Sequence, residues 1–145
     1  DEPTTALDAT IQAQIIELLL ELNKKRNLSI IFISHNLALI KSISQRILVL
    51  YGGLILEEGH TQDVLTKPIH PYTKALLASL PVFGVHYKEH KLRTIPGVVP
   101  NPLNPEPGCP FAPRCSYVIE ECKQAIPELR LAGHLHRCLR APISD

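Results

Sequence analysis

The chain has 145 residues and a mass of 16.1 kDa, enough for one ordinary domain or a little less than two small ones. It is 45% hydrophobic and 20% charged, so it can bury a core and need not be disordered. Lys plus Arg is 15 and Asp plus Glu is 14, a formal net charge of +1, which excludes a strongly basic nucleic-acid binder or an acidic tail as its main identity. No apolar run approaches the about 20 residues of a membrane-spanning helix. No basic stretch leads into an apolar one as in a secretion signal. The chain contains no Met and opens on Asp1-Glu2-Pro3, so it is expected to be processed or a piece of a longer protein. Of its 13 Pro, 10 lie from Pro81 onward, which divides the sequence into two parts, 1–80 and 81–145.

In chain order, 9–26 has helical periodicity. Ile11, Ile15, Leu18, Leu19 and Leu22 recur at spacings of three and four and are expected to face the core. Asp8 stands at the N-cap position, Lys24, Lys25 and Arg26 crowd the last turn, and Asn27 is the expected stop. The run 28–34 (LSIIFIS) has strand length and no alternation, which predicts a strand covered on both faces in a parallel sheet. A short helix is expected from Leu37 to about Ser44. A buried strand over 46–51 (RILVLY), the turn Gly52-Gly53 and a strand over 54–57 predict an antiparallel hairpin, with Gly59 breaking the chain. Short helices over 61–66 and 71–80 complete the first part, which reads as an α/β layered fold.

Ligands in open α/β sheets bind beyond the carboxyl ends of the strands. His35 follows directly on the run 28–34, and Asp1 and Glu2 precede a turn that leads into a helix. Adjacent carboxylates can divide their work, one holding a cation and the other orienting or deprotonating water. A nearby His can stabilise charge developing on a phosphate. The sequence DEPTTALD, followed about 27 residues later by IFISH, resembles the second half of an ABC-transporter ATPase. That resemblance implies the C-terminal part of a P-loop NTPase, RecA-like core over 1–80. It implies that Asp1 helps hold Mg²⁺ through water and that Glu2 is the general base or water-positioning residue. Asp8 would belong to the D-loop that meets a second ATPase subunit, and His35 would contact the γ-phosphate of ATP. Read singly, Asp-Glu-Pro is equally a solvated turn and Asp8 equally a helix cap. The chain has no G-x-x-x-x-G-K-[ST] phosphate loop, LSGGQ-like signature or glutamine loop, so by itself it is expected neither to bind ATP tightly nor to hydrolyse it.

The second part is loop-rich. Pro96-Gly97 and 101–105 mark turns, and a basic run at Lys88, Lys91 and Arg93 reads as a solvated face. A compact piece is expected to resume at Gly108, with a short helix over 117–125 ended by Pro127. All four Cys lie here, Cys109, Cys115, Cys122 and Cys138, spaced C-x5-C-x6-C-x15-C. Such a set can hold an iron–sulfur cluster or zinc, pair as disulfides, or stay as unliganded thiols; paired zinc spacings are absent. His70 is expected to cap or start a helix, and His134 and His136 are candidate substitutes for a Cys ligand. HPYTKALLASLP (70–81), IPGVVPNPLNPEPGCPFAPRC (95–115), Cys122 and HRC (136–138) resemble the C-terminal extension of oligopeptide/dipeptide-type ABC ATPases.

This second resemblance implies a peptide or nickel importer, with a [4Fe–4S] cluster on the four Cys ahead of zinc. The implied partners are a second ATPase subunit, membrane permease subunits and, indirectly, a periplasmic or extracellular solute-binding protein, with no nucleic acid. The implied place is the cytoplasmic face of the membrane, peripherally attached. Two rivals stand beside this reading: a non-catalytic metal-binding or interaction module derived from such an ATPase, and a soluble ABC ATPase of repair or translation. The Pro-rich Cys extension argues against the latter.

Overall fold

Asp8 and Asn27 bound the longest helix among the described residues, α1 (Ala9–Arg26). The computed structural model describes residues 1–80, 94–101 and 103–141, and divides the chain into two units, Asp1–Gln45 and Arg46–Asp145. The basic run at Lys88, Lys91 and Arg93 lies outside the described residues. Among the described residues no helix is long and apolar enough to cross a membrane.

In the first unit, Asp8 Oδ1 accepts from the Thr10 and Ile11 amides at 2.9 and 3.0 Å, which satisfies two of the orphan donors at the start of α1. Asn27 ends the helix in the left-handed conformation at φ 50°, one of the few non-Gly residues that adopt it readily. The buried stripe differs from the expected one. Ile16 is the buried residue of α1, and Ile11, Leu18 and Leu22 are exposed. The helix is apolar over more than one face, so periodicity alone did not select the inward one.

The run 28–34 corrects the sequence reading. It is extended but belongs to no strand among the described residues, and Leu28, Ile30, Ile31 and Ile33 are exposed. A strand is a pairing between segments, and apolar composition cannot supply the partner. The run is held at its start by Leu28 N–H donating to Asn23 O at 3.1 Å and near its end by Glu2 N–H donating to Ile33 O at 2.9 Å. Helix α2 (Leu37–Ile43) then starts where Asn36 accepts from the Leu39 amide at 3.1 Å.

The second unit is built on one antiparallel sheet, in the order β1-β2-β4-β3. Strands β1 (Arg46–Tyr51) and β2 (Leu54–His60) form the expected hairpin, with Gly52 and Gly53 both at positive φ. β1 is buried on one face only: Ile47, Val49 and Tyr51 alternate with exposed residues. β2 runs through Gly59 to His60. A Cβ at Gly59 would lie 2.8 Å from His134 Cβ, so this glycine admits a neighbouring strand instead of ending its own.

Helices α3 (Thr61–Thr66) and α4 (Pro71–Ala78) follow as expected. After the 3₁₀ turn Ala112–Arg114, helix α5 is the single turn Glu121–Gln124, shorter than the helix expected over 117–125. Strands β3 (Arg130–Ala132) and β4 (His134–His136) turn at Gly133, φ 82°, and β4 pairs with β2. The Pro-rich extension thus completes the sheet that the hairpin begins. The core of this unit is Tyr51, Leu56 and Phe111, with Tyr72 packed against it. Tyr51 and Phe111 meet edge to face at 5.4 Å, and Tyr72 lies 4.7 Å from Tyr51.

Candidate functional site

The first candidate site lies within the unit Asp1–Gln45. Glu2 Oε1 is 2.6 Å from His35 Nδ1, a contact that spans 33 residues of sequence. Three local features create it. The Glu2 amide is tied to Ile33 O, two residues before His35. Asn36 fixes the other side of His35 by capping α2, and its own amide donates to Ser34 Oγ at 3.1 Å. Glu2 itself is held at φ 38°, a left-handed backbone uncommon for a side-chain-bearing residue.

The second carboxylate oxygen, Oε2, accepts from the Thr5 hydroxyl at 3.0 Å. The hydrogen bond with His35 and then that from Thr5 hold the Glu2 carboxyl below the usual carboxylate range. The group is therefore held as an anion. Asp1 is exposed beside it, and Asp8 serves as the cap of α1. The structure thus brings Glu2 and His35 together, and places Asp8 one turn of chain further on.

The second candidate site lies within the unit Arg46–Asp145. All four Cys are free thiols and line one cavity with His70, Pro71 and Phe111. Cys122 and Cys138 are buried and Cys109 and Cys115 half-buried. The pairing of Cys109 N–H with Cys122 O at 2.8 Å joins two of the segments. It requires glycine at 108, where φ is 89° and a Cβ would meet Cys122 O at 2.3 Å. Burial pushes the Cys109 and Cys138 thiols up, and pushes Cys115 up to about 11. Among the described residues, no three His, Cys, Asp or Glu side chains stand close enough to grip a metal ion.

His70 caps α4 as expected, its Nδ1 accepting from the Tyr72 amide at 3.0 Å. Its burial lowers its pKa to about 4, so it is a neutral imidazole against the thiol cavity. His134 and His136 are buried; His134 Nε2 is engaged with Glu57.

Three residues escaped the sequence reading. Arg114 Nε and Nη2 donate to Pro96 O and Ile95 O at 2.9 and 2.7 Å, and Nη1 to the Tyr51 hydroxyl at 3.1 Å. Arg137 Nε and Nη1 donate to Ile55 O and Pro127 O at 3.1 and 2.6 Å. Both guanidinium forks fasten extension loops to the hairpin or to each other. Glu57 is fully buried in β2. The signal for it was weak, a charged residue directly after the apolar run 54–56.

Residues 56–122 match the family model described as the oligopeptide/dipeptide transporter C-terminal region. The whole chain is similar to a dipeptide transport ATP-binding protein of Haemophilus influenzae, 48% identical over 145 residues, 100% of this chain and 43% of the relative. A dipeptide transport ATP-binding protein of Escherichia coli is 44% identical over 147 residues, again across 100% of this chain and 44% of the relative. A di/tripeptide transport ATP-binding protein of Pseudomonas aeruginosa is 44% identical over 131 residues, 90% of this chain and 40% of the relative. The chain therefore spans less than half the length of the curated relatives it matches.

Proposed function

We propose that this chain is the carboxy-terminal part of the ATP-hydrolysing subunit of a peptide-type ABC importer. The contact between Glu2 and His35 carries the proposal, because it sets a charged base and an imidazole side by side at the end of one extended run. In this reading 1–80 is the end of a P-loop NTPase core and 81–145 the extension.

Glu2 would take a proton from, or orient, the attacking water. Its carboxylate accepts the Nδ1 proton of His35. The far ring nitrogen of His35 can then donate to a phosphate only when the ring is an imidazolium, so phosphate contact and His35 protonation would go together. Asp1 would hold Mg²⁺ through water, and the ion's contribution is to neutralise phosphate charge. Asp8, fixed at the start of α1, would face a second ATPase subunit. The motion of that pair would drive permease subunits at the cytoplasmic face of the membrane, with solute delivered by a binding protein.

The test is made in the full-length subunit. Glu2→Gln is expected to lower ATP hydrolysis by about 10²–10⁴-fold while nucleotide binding persists. Unchanged turnover in that variant refutes the assignment.

The four thiols also suit a [4Fe–4S] cluster in number and chemistry, and zinc less well by spacing. Cys109, Cys115, Cys122 and Cys138 would hold it, and it would supply the cross-link that a loop-rich segment with a small core lacks. The thiol cavity measures about 20 Å³, room for roughly one water-sized sphere, so loading requires the loops to spread. Iron and acid-labile sulfide in protein prepared without oxygen support this assignment, and four freely alkylated thiols there reject it.

A further inference from the structure

Glu57 is placed inside the second unit by a defect in its own strand. The register of β1 with β2 shifts between Val49 and Leu50: Glu57 faces Val49 and Ile55 faces Leu50, leaving Leu56 as an extra residue. The bulge breaks the two-residue alternation, and the neighbours Leu56 and Glu57 are both fully buried. A carboxylate so placed needs donors, and three reach it. Oε1 accepts from the Ile69 amide at 2.6 Å and contacts His134 Nε2 at 2.5 Å; Oε2 accepts from the His70 amide at 3.1 Å.

These donors come from the two chain segments that lead into walls of the thiol cavity, 69–71 and 134–138, of which His70, Pro71, Arg137 and Cys138 line it. His70 and Pro71 line the cavity from the start of α4. His134 starts β4, His136 stands opposite Glu57 in register, and Cys138 follows two residues later. Between them Arg137 N–H donates to Leu56 O at 2.8 Å. One carboxylate thus fastens the His70 wall and the Cys138 wall to the same residue of β2.

We infer that Glu57 and His134 are the positioning pair of the cysteine site, anchoring to β2 the segment that leads to Cys138 through the Glu57–His134 contact. The inference rests on the proposal that the four Cys hold an iron–sulfur cluster. Such outer-shell partners orient ligands, and their loss typically costs about 10–100-fold in metal affinity.

The test compares two amides in the full-length protein, prepared without oxygen and reconstituted with ferrous iron and sulfide. His134→Gln carries an N–H donor to about the place of the imidazole Nε2. His134→Asn stops at the place of Nδ1 and cannot reach Glu57. Iron retention is followed against increasing chelator, with circular dichroism as the check on folding. His134→Asn is expected to release iron at about tenfold lower chelator concentration, and His134→Gln to stay within about threefold of the unaltered protein. Equal retention in all three proteins overturns the pair, as does equal loss in both variants. Should His134→Asn not fold, His134→Gln decides alone: retention supports the pair and loss overturns it. Absence of iron and sulfide from the unaltered protein removes the cluster proposal, and this inference with it.

Discussion

His70 shows how much chemistry one buried ring can carry. It is 2% exposed, caps α4 through Nδ1, hydrogen-bonds the Arg137 backbone and lies 6.1 Å from the Phe111 ring. Burial, with a smaller push from His136, lowers its pKa to about 4 from an ordinary 6.5. The folded chain therefore refuses a proton that the unfolded chain accepts below pH 6.5. The stability that comes from keeping the ring neutral is fully present above pH 6.5 and falls away as the pH drops toward 4. The loss amounts to roughly 3 kcal/mol over that window. His70→Asn keeps a capping oxygen but has nothing to titrate. Denaturant midpoints measured from pH 7 to 4 are expected to fall more steeply in the unaltered protein than in His70→Asn. Parallel curves contradict the account. The order His70-Pro71 announced a helix start, since proline suits the first helical position, but gave no sign that the ring would be buried.

At the scale of elements, what was legible in the sequence was what short stretches decide for themselves. Asp8 and Asn27 bound α1 because a cap and a left-handed stop act within one turn. The pair Gly52-Gly53 fixed the hairpin for the same reason. Misreadings arose wherever a distant partner decides. Apolar 28–34 was read as a strand, yet pairing cannot be seen in one segment. Gly59 was read as a breaker, yet its missing side chain makes room for His134, 75 residues away. β3 and β4, with three residues each, are too short to show a period, and their registers with each other and with β2 define them. The candidate sites divide likewise. Glu2, His35 and the four Cys stand out by residue type and spacing. Glu57 depends on a bulge that only the register of two strands creates.

For the whole molecule, the exposed apolar run of the first unit has the largest consequence. Ile31 is 91% exposed, and Leu28, Ile30 and Ile33 are exposed beside it, in extended backbone that belongs to no strand among the described residues. Unpaired extended backbone with β-branched side chains and no charge is a template for pairing with another chain. The formal charge of +1 supplies little repulsion between copies. The 145-residue chain is therefore expected to associate as its concentration rises, through this run. Covering one Ile side chain contributes about 1.5–3 kcal/mol, and a lysine in its place adds like-charge repulsion between copies. Ile31→Lys should raise the concentration at which association sets in by about tenfold or more. Light scattering across a dilution series reads this directly. A chain that stays monomeric at every concentration, or an Ile31→Lys variant that associates as readily, would show that these side chains find cover without a second copy.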